Sequence, residues 1–251
     1  MKKLYDKSEV LFSVFWIVIY VVGTSIADNV SKSLGIEKSV SFLFLALMSV
    51  FLFVWIKRNN HMTKYGICKT DVPAKKYLYY IPLLIIASCN LWFGIKMNFS
   101  AGETVLYVGS MLFIGFLEEL IFRGFLFKAM SKDNIKSAII VSSVTFGIGH
   151  IVNLINGSGA DFLSNMLQIF YAVAFGFLFV ILFRRGKSLL PSIITHSAIN
   201  MLSAFANEPE SDLMMIGVSV ILAVLAVAYS LVLLKTLPKE EKTQELSTDN
   251  Q

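Results

Sequence analysis

Charge is scarce in this chain. Only 16% of its 251 residues are Asp, Glu, Lys or Arg, against about 25% in an ordinary soluble domain. Cysteine is nearly missing too. Cys68 is expected in a cytoplasmic loop and Cys89 in a membrane span, which excludes a disulfide between them and leaves no metal-type cysteine spacing. Prolines are few, and Pro82 and Pro191 lie inside or at the start of apolar blocks, where membrane helices tolerate them. The chain has no internal repeat, no low-complexity stretch and no soluble domain. It also lacks an H-E-x-x-H run and any Ser-His-Asp or Cys-His arrangement, so the familiar zinc and nucleophile signatures are absent.

Apolar residues are abundant instead. They make up 56% of the chain, 21 of them Phe, and the mean hydropathy is +0.69. They come in long blocks rather than amphipathic periods. Blocks of about 17–25 residues predict about eight spans, at roughly 10–27, 40–56, 77–95, 104–127, 135–155, 163–183, 188–206 and 213–236. The expected fold is therefore all-α: a polytopic membrane helix bundle forming one membrane domain over residues 1–237, followed by a polar tail, 238–251, expected to be disordered. Ser25-Ile-Ala27 looks like a signal-peptidase site, but the apolar run before it is longer than a usual signal core, and a retained anchor is expected.

Lys and Arg orient the chain. With the N-terminus in the cytoplasm, eighteen of them fall in cytoplasmic segments, while only Lys32, Lys38 and Lys96 fall in outer loops and Arg123 lies within a span. Short basic loops stay cytoplasmic, so both termini are expected inside. The net charge of +5 then reflects topology and contact with anionic lipid headgroups. No nucleic-acid partner is expected. The expected partners are membrane lipid and a membrane-associated peptide or protein, and the small size and the Lys, Ile and Asn content point to a bacterial cell membrane.

Against this background the paired carboxylates Glu118 and Glu119 stand out, with Arg123 four residues on, inside an otherwise apolar span. A charge at bilayer depth costs roughly 2.5–3.5 kcal/mol on insertion scales, so it needs a task or a partner. His150, His196 and Asn200 also interrupt apolar runs. At about 1.5 Å rise per residue, Glu118, His150, His196 and Asn200 fall on the order of 12–21 Å below the cytoplasmic surface and share one layer. His196 and Asn200 lie on one helix face, as do Glu119 and Arg123, which allows an internal ion pair. Glu118 points about 100° away from Glu119, so one carboxylate is free to be structural while the other meets a reacting group. Each element also has a plainer reading: a histidine hydrogen-bonded in packing, Asn200 as a link between helices, Glu119 with Arg123 as a structural pair. Gly115, Gly124, Gly147 and Gly149 permit close helix packing. Asn153, Asn156 and Gln168 carry no separate signal.

Three motifs stand in order in separate spans: Glu118-Glu119-Leu-Ile-Phe-Arg123 (E-E-x-x-x-R), Phe146-Gly-Ile-Gly-His150 (F-x-x-x-H) and His196-Ser-Ala-Ile-Asn200 (H-x-x-x-N). Together they resemble the CPBP family of intramembrane proteases, also called the CAAX protease and bacteriocin-processing, or Abi, family, whose best-known branch is the Rce1 prenyl-protein endopeptidase. The motif-bearing core runs from about Met111 to Phe205; the first three spans carry no signature. The resemblance implies an endopeptidase in which Glu118, assisted by His150, activates water, His196 and Asn200 stabilise the oxyanion, and Glu119 and Arg123 orient the site. The site is expected to open toward the cytoplasm. No cofactor is obligatory in this reading. The alternative is a metalloprotease with zinc held by Glu118, His150 and His196. A non-catalytic role in bacteriocin immunity or regulation is the rival function within the family, and a proton-coupled carrier the rival outside it.

Overall fold

The computed structural model describes residues 1–156 and 161–238. The expected disordered tail, apart from Pro238, lies outside the described residues. Every regular element among those described is helical, with a single bridge pair, Ile95 with Ala206, as the only β pairing. After a short helical turn, Lys2–Lys7, the main helices are α1 (Glu9–Ser33), α2 (Ser39–Arg58), α3 (Ile81–Ala87), α4 (Ala101–Glu118), α5 (Ile135–Gly149), α6 (Phe162–Gly186), α7 (Leu190–Leu202) and α8 (Asp212–Thr236). A π-helical segment, Glu119–Phe127, continues α4 without a break.

Among the described residues six helical stretches are long and apolar enough to cross a membrane: Glu9–Ser33, Ser39–Arg58, Ala101–Met130, Ile135–Leu154, Phe162–Gly186 and Asp212–Thr236. Many large apolar side chains on their outer faces are exposed, Leu47, Val105 and Val224 among them, as lipid-facing surfaces require. The protein is an integral membrane protein. α1 runs unbroken through Ser25-Ile-Ala27.

Two of the eight expected spans are not long helices. Over 77–95 the only α-helix is the seven-residue α3, and over 188–206 it is the thirteen-residue α7. Local chemistry explains both. Pro82 and Pro191 sit in the first turn of their helices, where a missing N–H costs nothing and upstream continuation is blocked. Leu78, Tyr79 and Tyr80 all adopt left-handed backbone, which no α-helix passes through. Beyond Leu202 the chain tightens into a 3₁₀ turn and then pairs with Ile95.

Hydrogen bonds sort the helix termini into two ends. At one, Glu9 pairs with Lys64 at 2.8 Å and Lys132 at 2.7 Å, Leu189 N–H donates to Gly66 O, and Arg185 donates to Pro238 O at 3.0 Å. This end gathers most of the Lys and Arg. At the other, Glu37 N–H donates to Glu103, Asn98 to Ala206 O and Asn29 to Asn156 O. Hence α2 and α4 run in the same direction, as do α6 and α8. Segments 59–100 and 187–211, which hold the short helices α3 and α7, each carry the chain from the basic end to the other.

Local sequence sets the helix starts. Ser8, Asn134, Asp161 and Ser211 each accept a hydrogen bond from an amide in the first turn, and Ser100 with Glu103 forms a reciprocal capping box for α4. These side chains satisfy amides that helix geometry leaves unpaired. α1, α2 and the α4–π segment pack around Phe12, Trp16, Leu52, Leu120 and Phe125. α3, α6 and α8 pack around Leu83, Phe175, Leu178 and Leu222.

Candidate active site

Close helix approach builds the site. A methyl group on Gly115 would lie 2.3 Å from Ser197 Oγ and 2.6 Å from its backbone N, so only glycine lets α4 and α7 touch one turn before Glu118. Gly147 meets the backbone of Val173 just as tightly, whereas Gly149 faces open space. The α4 ladder then widens. All nine residues of the π segment are buried, and π turns in α-helices recur at functional sites.

His196 sits between the two carboxylates. Its Nδ1 lies 2.9 Å from Glu119 Oε1 and its Nε2 3.4 Å from Glu118 Oε2. Arg123 Nη1 donates to the same Glu119 oxygen at 3.0 Å, with both side chains fully buried. The guanidinium lies 4.0 Å from the centre of the Phe146 ring and 5.4 Å from that of Phe179. Those rings also pack on His196. A buried charge is tolerated when it is paired and hydrogen-bonded, and cation–π contact adds to that here.

Glu118 faces the other way, with 13% of its side chain exposed. Tyr20 of α1 donates to its Oε1 at 2.7 Å. The carboxylate closes one end of a cavity of about 490 Å³ that His150 and Asn200 also line. His150 Nδ1 lies 3.1 Å from Phe146 O; an N–H there donates to the carbonyl and leaves Nε2 as an acceptor. Asn165 donates to His150 O at 2.8 Å and anchors that turn. A smaller recess of about 80 Å³ reaches Glu118 between Tyr20, Val21 and Thr24 of α1 and Phe146, Gly149 and His150 of the α5 end. The structure thus gathers all six candidate residues at one place in two layers. Glu118, His150 and Asn200 face the cavity, while His196, Glu119 and Arg123 lie behind Glu118.

Residues 100–202 match the family model described as type II CAAX prenyl endopeptidase Rce1-like. This segment is similar to the Rce1-like family. No curated protein and no solved structure matches the chain. The Rce1-like segment holds all six candidate residues, and α1, α2 and α3 lie before it.

The donor set does not fit a zinc ion. Among the described residues no three His, Cys, Asp or Glu side chains converge as metal ligands, and both ring nitrogens of His196 already face carboxylates.

Several site residues were invisible in the sequence. Tyr20 lies outside the Rce1-like segment, and a tyrosine in an apolar run gives no sign of a partner 98 positions away. Asn153, Asn156 and Gln168 form one chain along the cavity wall, with Asn153 donating to Gln168 at 3.0 Å and Asn156 to Asn153 at 3.2 Å. Their clustering near one end of neighbouring helices was the available signal.

Proposed function

We propose that the protein is an intramembrane endopeptidase of the Rce1-like kind, hydrolysing a peptide bond in a membrane-associated peptide or CAAX-type protein. The observation that carries this reading is Glu118, a carboxylate held by Tyr20 in a cavity that His150 and Asn200 also line. Water held between Glu118 and His150 Nε2 gives its proton to Glu118 as its oxygen attacks the scissile carbonyl carbon. The carbonyl oxygen takes up the negative charge and accepts from the Asn200 amide. The C–N bond then breaks, and Glu118 returns the proton to the leaving nitrogen. A positioned base supplies about 10²–10⁴-fold in such a step, and donors aimed at the developing charge supply more.

His196 serves as the orienting group for Glu118. A ring N–H on each nitrogen, Nδ1 toward Glu119 and Nε2 toward Glu118, holds the base in one orientation. Glu119 and Arg123 fix that ring from behind. No step runs through a metal, so dialysis against a strong chelator should leave the rate unchanged. A loss restored by added zinc would overturn the glutamate assignment.

In this reading the chain crosses a bacterial membrane eight times, the short helices α3 and α7 completing two of the crossings, with both termini on the Lys/Arg-rich side. The shared direction of α2 with α4 and of α6 with α8 supports that count.

The test is cleavage of membrane-anchored peptides by the purified protein in liposomes, beside Glu118→Gln, with products read by mass spectrometry. Glu118→Gln should lower the rate by about 10²–10⁴-fold without loss of folded protein. An equally active variant would remove Glu118 from the chemistry.

A further inference from the structure

The cavity above Glu118 has a direction. Its lining stripes are Tyr20, Thr24 and Asp28 on α1 and Tyr107, Met111, Ile114 and Glu118 on α4, spacings that each keep to one helix face. On α6 and α8 the lining comes from the first turns, at Ser164 and Gln168 and at Met215 and Ser219. Each stripe leads away from the basic end. Glu9 marks that end, and a rise of about 1.5 Å per residue puts Asp28 roughly 28 Å further along α1. Near the mouth Asp28 pairs with Lys38 at 2.8 Å.

The opposite route is filled. Directly behind Glu118 lie the buried Glu119, Arg123 and π segment. Beyond them Phe127, Ala138, Val180, Phe183 and Leu189 pack together. A separate cavity of about 680 Å³ at the basic end is lined by Lys64, Lys128 and Arg185 and touches none of the six site residues.

The walls indicate what enters. Asn90, Asn153, Asn156, Gln168, Asn200 and Asn207 line the cavity. Neutral amides offer both donors and acceptors and so suit the N–H and C=O groups of an extended peptide. Between the amides, Met111, Ile114, Leu167, Ile199, Met215 and Leu222 leave apolar wall for the side chains of such a segment.

Short basic segments stay cytoplasmic. We infer that the site takes its substrate from the extracytoplasmic face, as an extended peptide segment whose backbone pairs with the amide-lined wall. This replaces the cytoplasmic opening expected from the sequence and deepens the proposed proteolysis, on which its substrate half rests.

The test uses the full chain in oriented membrane vesicles and a membrane-impermeant maleimide. Cys89, which lines the cavity, is replaced by Ser, and Ser164→Cys places a thiol in the cavity wall. Cys68, which lines the basic-end cavity, is the internal standard. In right-side-out vesicles the thiol at 164 should label at least tenfold faster than Cys68, and in inside-out vesicles the order should reverse. Labelling of position 164 from the same face as Cys68, or from neither face, would overturn the inference. A second arm anchors one cleavable segment on either face of the vesicle. Cleavage on the extracytoplasmic face alone is expected, and cleavage on the cytoplasmic face alone would refute the access route. No cleavage on either face, with the labelling as expected, would sink the proteolytic reading and the substrate half while leaving the direction of access standing.

Discussion

Tyr20 and Glu118, 98 positions apart, share a 2.7 Å hydrogen bond that ties the first helix to the proposed catalytic base. The bond fixes one carboxylate oxygen while His196 faces the other at 3.4 Å. A base held on both sides keeps one orientation, which is what attack on a positioned carbonyl requires. Hydrogen bonds to charged groups are worth about 1.5–3 kcal/mol. Tyr20→Phe should therefore lower kcat by about 10–100-fold with KM nearly unchanged and the thermal midpoint retained. A variant that changes KM alone would make Tyr20 part of substrate binding instead.

Arg123 and Glu119 form a fully buried pair. Removing one partner of such a pair strands the other charge, at about 3–5 kcal/mol. Arg123→Ala should cut the yield of folded protein and lower its unfolding midpoint in detergent. Adding Glu119→Gln should recover part of the loss, because the stranded charge is gone. Full stability of Arg123→Ala alone would deny the pair a structural role.

Gly115 is a close contact between α4 and α7 one turn before Glu118. Gly115→Ala pushes a methyl group against Ser197 Oγ, N and Cα, all within 2.8 Å. Overpacking of this kind costs about 1–3 kcal/mol, and it should also part Glu118 from His196. Ser197→Gly in the same chain should restore little, since the backbone atoms remain in place. Complete rescue, read from unfolding midpoint and rate together, would show that the hydroxyl alone sets the spacing.

His61, in the loop after α2, packs among Tyr5, Trp55 and Tyr65. Burial, and then the charge of Lys64, hold its pKa below the ordinary 6.5. The unfolded chain therefore binds the proton more readily than the folded one, and stability rises with pH across that window and levels off above 6.5. Unfolding midpoints measured from acid to neutral pH should show this slope in the wild type. His61→Phe, which keeps the aromatic packing, should flatten it, and an unchanged slope would assign the effect to another group.

The parts legible in the sequence were those written in local pattern. Long apolar blocks announced the six long helices, and four-residue spacings announced the Glu119–Arg123 pair. Convergence of Glu118, His150, His196 and Asn200 was foreshadowed by their common depth. Three features were not legible. No residue in Glu119–Phe127 signals the π segment. The breaks at Leu78–Tyr80 carry no glycine. The direction of the cavity emerges only when stripes from separate helices are assembled, and the sequence pointed to the cytoplasmic side instead.

The blind end of the cavity at Glu118 has an electrical consequence. The cavity stops at Glu118, and the packed layer of Glu119, Arg123 and Phe146 begins immediately behind it. The insulating thickness under the cleft is therefore less than that of the bilayer around it, and a transmembrane voltage falls over the shorter path. Each elementary charge moved across a full 100 mV drop exchanges about 2.3 kcal/mol. In the proposed mechanism the protons traded at Glu118 sit at the edge of that steepened field, which makes an energised membrane part of this carboxylate's environment.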